Sequence, residues 1–337
     1  MNTPGAMMRR SARAAGGCAL LGCVVLSTAG AASTQDAARF PVRPVRFVVP
    51  YPPGGSGDIV VRLVGQKLAE RWGQQVVVDN RAGGGGVIGL QIVAASAPDG
   101  HALVLGTSST HAIAPGLQQR LPYDAERDFE PVTSLIRIPN VIVAHPSLPV
   151  RSLQDLVRHA AARPGAVSYA SNGTATNSHM AGELLMKLSG IRLLHVPYKG
   201  AGVAINDVLG GHVNLLIGAA ATSAPHVTAG RLRALAVTGA ARVRALPDTP
   251  TVAEQGFPGF EVVQWFGAFA PARTPAPLLR ELNAALVQAL VHPEVHERLT
   301  AQGFDVAPAD PATFRRYIRA EREKWGALIR EAGIRVE

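Results

Sequence analysis

Two stretches of this 337-residue chain hold side chains that could bind or transform a small molecule. In Ser171-Asn172-Gly173-Thr174-Ala175-Thr176-Asn177-Ser178-His179, every residue except Gly173 and Ala175 carries a hydroxyl, amide or imidazole. A helical pattern follows through Leu184 and Leu188 and stops at Gly190. The first amides of a helix have no intrahelical acceptor and stand at the positive end of its dipole, so the segment reads as an anion site. A polar surface loop would use the same residues. The second stretch is Tyr51-Pro52-Pro53-Gly54-Gly55-Ser56-Gly57-Asp58. Its glycines let backbone approach a ligand closely, and a helix begins here too. A ligand-free connection in an α/β fold has the same composition, and Asp58 and His179 could be first-turn cap and dipole residues.

Other chemistries fit the spacing less well. Gly54-x-Ser56 needs glycine at position 58 to make a nucleophile elbow, and Asp58 stands there. A serine hydrolase of Ser56 with His111 or His179, acting on a small ester outside the cytoplasm, is the alternative reading on residue types alone. Gly84-x-Gly86-x-x-Gly89 has dinucleotide-binding spacing, but the next strand ends in Gly106-Thr107 and not in the acid that would hold a ribose. No two histidines have metal-ligand spacing on one helix, so neither metal nor cofactor is expected.

The elements that must position these loops follow from periodicity. Arg46-Phe47-Val48-Val49 is an apolar run read as a buried strand, and Val60, Val64 and Leu68 mark the helix after it. Val76–Val78 is a second strand, ending in Asp79-Asn80-Arg81 and four glycines before a helix from Val87 to Ala95. Ala102–Gly106 is a third strand, delivering Thr107-Ser108-Ser109-Thr110-His111. Tyr123–Pro131 reads as a polar loop. Strands are expected at Val141–Ala144, Val167–Ala170, Leu193–Val196, Val213–Ile217, Leu232–Thr238 and Phe266–Ala270, the last a crossover. Helices are expected after Ser152, whose spacing to Asp155 suggests a capping box, at Ala201–Leu209, around Leu279–Leu290, and after the Asp310-Pro311 cap. Alternating strands and helices argue an α/β fold, with functional loops at the carboxyl edge of a sheet.

Arg9, Arg10 and Arg13, an apolar run from Ala14 to Leu26 and small residues at Ala29-Gly30-Ala31 read as a signal peptide over residues 1–31. Leu20-Leu21-Gly22-Cys23 would suit lipidation, but Val24-Val25-Leu26 carries the apolar core past that cysteine. Both cysteines, Cys18 and Cys23, fall inside this segment, so no disulfide or thiol chemistry is expected after cleavage. Cleavage lowers the net charge from +9 to +6, because it removes three arginines and no acid. That excess attracts small anions. It is unclustered and accompanied by only 5% aromatics, which excludes a nucleic-acid partner. A periplasmic location follows.

The chain closely resembles the extracytoplasmic solute receptors of tripartite tricarboxylate transporters, the Bug receptors. The likeness runs from about Pro41 to the C-terminus. It is carried by Pro44-Val45-Arg46-Phe47-Val48-Val49-Pro50-Tyr51-Pro52-Pro53-Gly54-Gly55 with Asp58 and Arg62, by Asp79-Asn80-Arg81-Ala82-Gly83 and by Pro98-Asp99-Gly100. Thr107–His111, Asp128-Phe129-Glu130-Pro131-Val132, His179-Met180-Ala181-Gly182-Glu183 and His195-Val196-Pro197-Tyr198-Lys199-Gly200 also carry it. The resemblance implies a two-lobed type II periplasmic binding protein fold that closes on a small carboxylate without chemistry. Lobe 1 would be residues 41–134 and 266–337, and lobe 2 residues 135–265. One carboxylate would lie, partly through ordered waters, between Tyr51, Pro53, Gly54, Gly55 and Asp58 and the loop of Ser171, Asn172, Thr174, Thr176, Asn177, Ser178 and His179. Thr107, Thr110, His111 and Ala112 would complete the wall, with Tyr198 and Gly218. Where the family strand often ends in aspartate, this chain has Gly218. A ligand without an amine, an aromatic acid or a dicarboxylate, is therefore expected. The protein would act as a monomer and be read by membrane transporter subunits or by a sensor kinase.

Overall fold

The computed structural model describes residues 40–117 and 121–334. The expected signal peptide and both cysteines lie outside them. The first strand, β1 (Val45–Val49), leads into α1 (Ser56–Trp72), β2 (Val76–Asn80), α2 (Val87–Ala94), β3 (Ala102–Thr107) and the single turn α3 (Ala114–Leu117). Next come β4 (Phe129–Ala144), α4 (Leu153–Ala162), β5 (Ser168–Ser171), α5 (Asn177–Ser189), β6 (Leu194–Pro197), α6 (Ala201–Leu209), β7 (Leu215–Ala219), α7 (Ala220–Thr228) and β8 (Arg233–Val237). The chain ends with β9 (Val263–Pro271), α8 (Ala276–Val291), α9 (Pro293–Ala301), β10 (Asp305–Val306) and α10 (Pro311–Ala332).

The strands follow the order β2-β1-β3-β9-β4-β7-β5-β6, with β10 and β8 also paired to β4. β4 joins two sheets. Its residues through Pro139 pair antiparallel with β9, and its residues from Asn140 pair with β7 and β8. The expected polar loop up to Pro131 is thus partly strand, because β4 is 16 residues long and starts at Phe129. Pro131 and Pro139 hide it from periodicity, and the register shifts beside Pro131 and again after Ser134 bend it. On either side of β4 the strands β1, β2, β3 and β5, β6, β7 run parallel, so each half presents its loops at a carboxyl edge.

Apolar side chains form three clusters. One packs β1 and β3 against α1 and α8, a second fills the space between β7 and α6, and the largest links α2, α5 and α10 through Tyr169, Trp265 and Trp325. Of the caps read from sequence, Ser152 accepts from the Asp155 amide and Asp310 from the Thr313 amide. No described helix is long and apolar enough to cross a membrane.

Candidate functional site

The first loop is built on the end of β1. Gly54 takes a φ of +82°, open to glycine at little cost. The Asp58 carboxylate turns back to accept from the Gly54 amide and from Arg62 Nε, both at 2.9 Å. Arg62 in turn donates to Asn80 Oδ1 at 3.1 Å, and Asn80 Nδ2 donates to the Tyr51 carbonyl. Burial opposes the charge on Asp58, but Arg62 and the Gly54 amide together hold its pKa below the usual carboxylate range. It is therefore ionised and committed to shaping the loop, while its Oδ1 is buried without a partner among the described residues. Gly55, the N-cap of α1, supplies no side-chain cap, which leaves first-turn amides free for an anion. Pro53, Gly54 and Gly55 are exposed.

The second loop departs from expectation. Most of its donors serve the loop itself. The amide of Asn172 donates to Ser178 Oγ, that of Gly173 to Ser171 Oγ and that of Ala175 to His179 Nδ1. Thr176 caps α5 by accepting from the His179 amide, and its hydroxyl donates to the Gly173 carbonyl at 2.7 Å. The cap leaves the amides of Asn177 and Ser178 at the helix start, and the exposed Thr174 beside them. Ala175 is held at φ +65°, a conformation that favours glycine and is costly for other residues.

A hydroxyl that the sequence reading left out of the site joins the end of β3 to the second loop. Ser108 Oγ donates to Asn177 Oδ1 at 2.6 Å, and Asn177 Nδ2 reaches the Val263 carbonyl. Asn177 is thus a bridge between the end of β3 and the start of α5. Thr107 bonds Tyr51 through their hydroxyls at 3.1 Å, and burial pushes the Tyr51 phenol up. Thr110 receives the Thr107 amide.

His111 and Ala112 were expected in the wall, but both are buried in the core. The His111 ring stacks on Phe269 at 3.9 Å, and burial, followed by the charge of Arg322, lowers its pKa to about 3. It is neutral and supports the wall from behind. Tyr198 spends its hydroxyl on Asp207 at 2.6 Å, so burial first and then Asp207 push its pKa up to about 12. Its amide supports the Ser171 carbonyl. Gly218 does not end its strand as read. β7 runs on to Ala219, and an added Cβ at Gly218 would meet the Leu216 side chain at 3.3 Å. A groove of about 1700 Å³ opens just beyond, lined from Ala220 along α7 and by α9, and none of the candidate residues lines it.

The geometry lends the hydrolase alternative no support. Ser56 has no histidine partner among the described residues. Two of the described serines do meet an imidazole: Ser147, exposed just after β4, is 2.7 Å from His145 Nδ1, two residues away, and Ser171, 2.6 Å from His195 Nε2, is fully buried. The described residues also hold no cluster of three metal-ligating side chains.

Against known proteins, residues 60–334 match the model described as the tripartite tricarboxylate transporter family receptor. The solved structure of Rpa4515 from R. palustris with adipate is 35% identical, with a TM-score of 0.76, over 88% of this chain and 99% of that one. The periplasmic binding protein BugD is 34% identical, TM-score 0.72, over 88% of this chain and all of its own. MatC from Rhodopseudomonas palustris with bound malate is 32% identical, TM-score 0.71, over 86% of this chain and all of its own.

Proposed function

The chain belongs to the tripartite tricarboxylate transporter receptor family, and on that premise we propose that it is a periplasmic receptor that captures a small carboxylate without an amine and performs no chemistry on it. The observation that carries this reading is that the end of β3 contacts both amide-bearing loops: Thr107 bonds Tyr51 of the loop after β1, and Ser108 bonds Asn177 of the loop after β5. Uncapped first-turn amides of α1 and the Asn177 and Ser178 amides of α5 supply donors at positive helix ends, where a carboxylate is favoured.

Lobe 1 comprises residues 41–134 and 266–337, and lobe 2 residues 135–265, hinged on the strands β4 and β9. Closing the lobes excludes water and strengthens each amide-to-carboxylate bond. The ligands of the adipate- and malate-bound relatives are amine-free dicarboxylates, in line with a site that lacks an acid at Gly218. A buried ammonium would need such an acid. Export uses the segment 1–31, the receptor is a monomer, and its closed form is read by membrane transporter subunits or a sensor kinase.

Native mass spectrometry of the purified protein tests the reading by revealing a co-purified small acid. Saturation at about a hundred times the dissociation constant should add about 2.7 kcal/mol of stability. Turnover of generic esters would overturn it.

A further inference from the structure

Behind the second loop lies a stack of rings. His195, on β6, stands face to face with His179 at 4.0 Å between centroids and 12° between planes. It also stacks on Tyr169 of β5 at 4.9 Å. His195 Nε2 lies 2.6 Å from Ser171 Oγ.

One direction of that contact satisfies every hydrogen bond of Ser171 at once. A serine hydroxyl has one proton to give and two lone pairs to fill. Ser171 Oγ donates to the Gly173 carbonyl and accepts from the Gly173 amide, both at 3.2 Å. With both of those bonds kept, one lone pair remains for His195 to fill from Nε2, whereas a Ser171 proton given to Nε2 would forfeit the Gly173 carbonyl. The same count applied to His179 puts its proton on Nε2, facing Glu183 Oε1 at 3.4 Å, because Nδ1 accepts the Ala175 amide. The loop between these two imidazoles holds Gly173 at φ +134° and Ala175 at φ +65°. Backbone in such conformations persists only where its surroundings over-determine it.

We propose that His195 is a positioning residue for ligand capture: its Nε2–H locks Ser171, and through it the turn at Gly173, so that the amides beyond the turn are set for an anion before one arrives. This rests on the receptor reading above. His195 stays neutral throughout the physiological range, since burial and then His179 lower its pKa to about 4, against the pull of Glu183. The lock therefore holds without proton exchange.

Two substitutions separate the hydrogen bond from the stack. His195→Gln keeps an N–H donor at similar reach; His195→Phe keeps the ring and removes the donor. With adipate as probe in calorimetry, His195→Gln should bind within about threefold of wild type, and His195→Phe about tenfold or more weaker, because a buried acceptor loses its partner. In ligand-free protein, amide spectra of His195→Phe should shift at Gly173 and Ala175 and not in the core around Trp325. His195→Phe binding as well as wild type, or His195→Gln failing as badly as His195→Phe, would overturn the proposal. Should His195→Phe not fold, nitrogen spectra of the wild-type imidazole decide: a proton on Nε2 supports the lock and one on Nδ1 overturns it. Absence of adipate binding by wild type would count against the receptor reading, and the ligand-free spectra would then judge the lock alone.

Discussion

Ser108→Ala should weaken ligand binding without unfolding the protein. The Ser108 hydroxyl donates to Asn177 Oδ1 at 2.6 Å. The two residues are 0% and 4% exposed. Removing the hydroxyl leaves Asn177 Oδ1 buried without its donor, which costs about 1–3 kcal/mol. If the lobes part when empty, water reaches both groups in the open form and the penalty falls on the closed form alone. Affinity should then drop by about 5- to 150-fold, a factor of ten for each 1.4 kcal/mol. Calorimetry with a dicarboxylate measures it, and a double-mutant cycle isolates it: Ser108→Ala with Asn177→Ala should lose little more than Asn177→Ala alone. Wild-type affinity in Ser108→Ala, or fully additive losses, would refute the bridge as a closure contact.

Gly54→Val should abolish binding, because a β-branched residue is strained at φ +82° and the first loop must rearrange, while the core is spared, since Gly54 is exposed and no atom lies within 4 Å of an added Cβ; an unchanged affinity would remove the first loop from the site. Acid should destabilise the protein through His111. Its folded pKa of about 3 lies below the usual 6.5, so its contribution is full above about pH 6.5 and is lost as pH falls toward about 3, by about 4–5 kcal/mol in all. Melting temperatures in a pH series should fall less steeply for His111→Phe, and equal slopes would contradict this.

Local chemistry was legible where a few neighbouring residues decide the outcome. The Asp310 and Ser152 caps, the helix Ala201–Leu209 and the turns after β1 and β5 follow from adjacent side chains, and the structure has them. Elements that tertiary packing imposes against local preference were not. β4 runs through two prolines, α7 contains Pro225, and β10 is only two residues long. The site divides the same way. The composition of the two loops marked them, but which donors remain free depends on contacts distant in sequence. His195 meets Ser171 across 24 positions and Ser108 meets Asn177 across 69, and no spacing rule reaches that far. His111 carried a misleading signal, because a polar ring after a strand can be buried against phenylalanine as readily as exposed to a ligand.

The central claim, capture of an amine-free carboxylate without chemistry, is tested most directly by calorimetry of the purified protein. Adipate, malate, benzoate-like acids, aspartate and glutamate would be titrated in parallel. The account predicts one ligand per protein, tightest for a dicarboxylate or aromatic acid, recovered unchanged after incubation. Tightest binding to an α-amino acid, or no binding to any carboxylate, would contradict it.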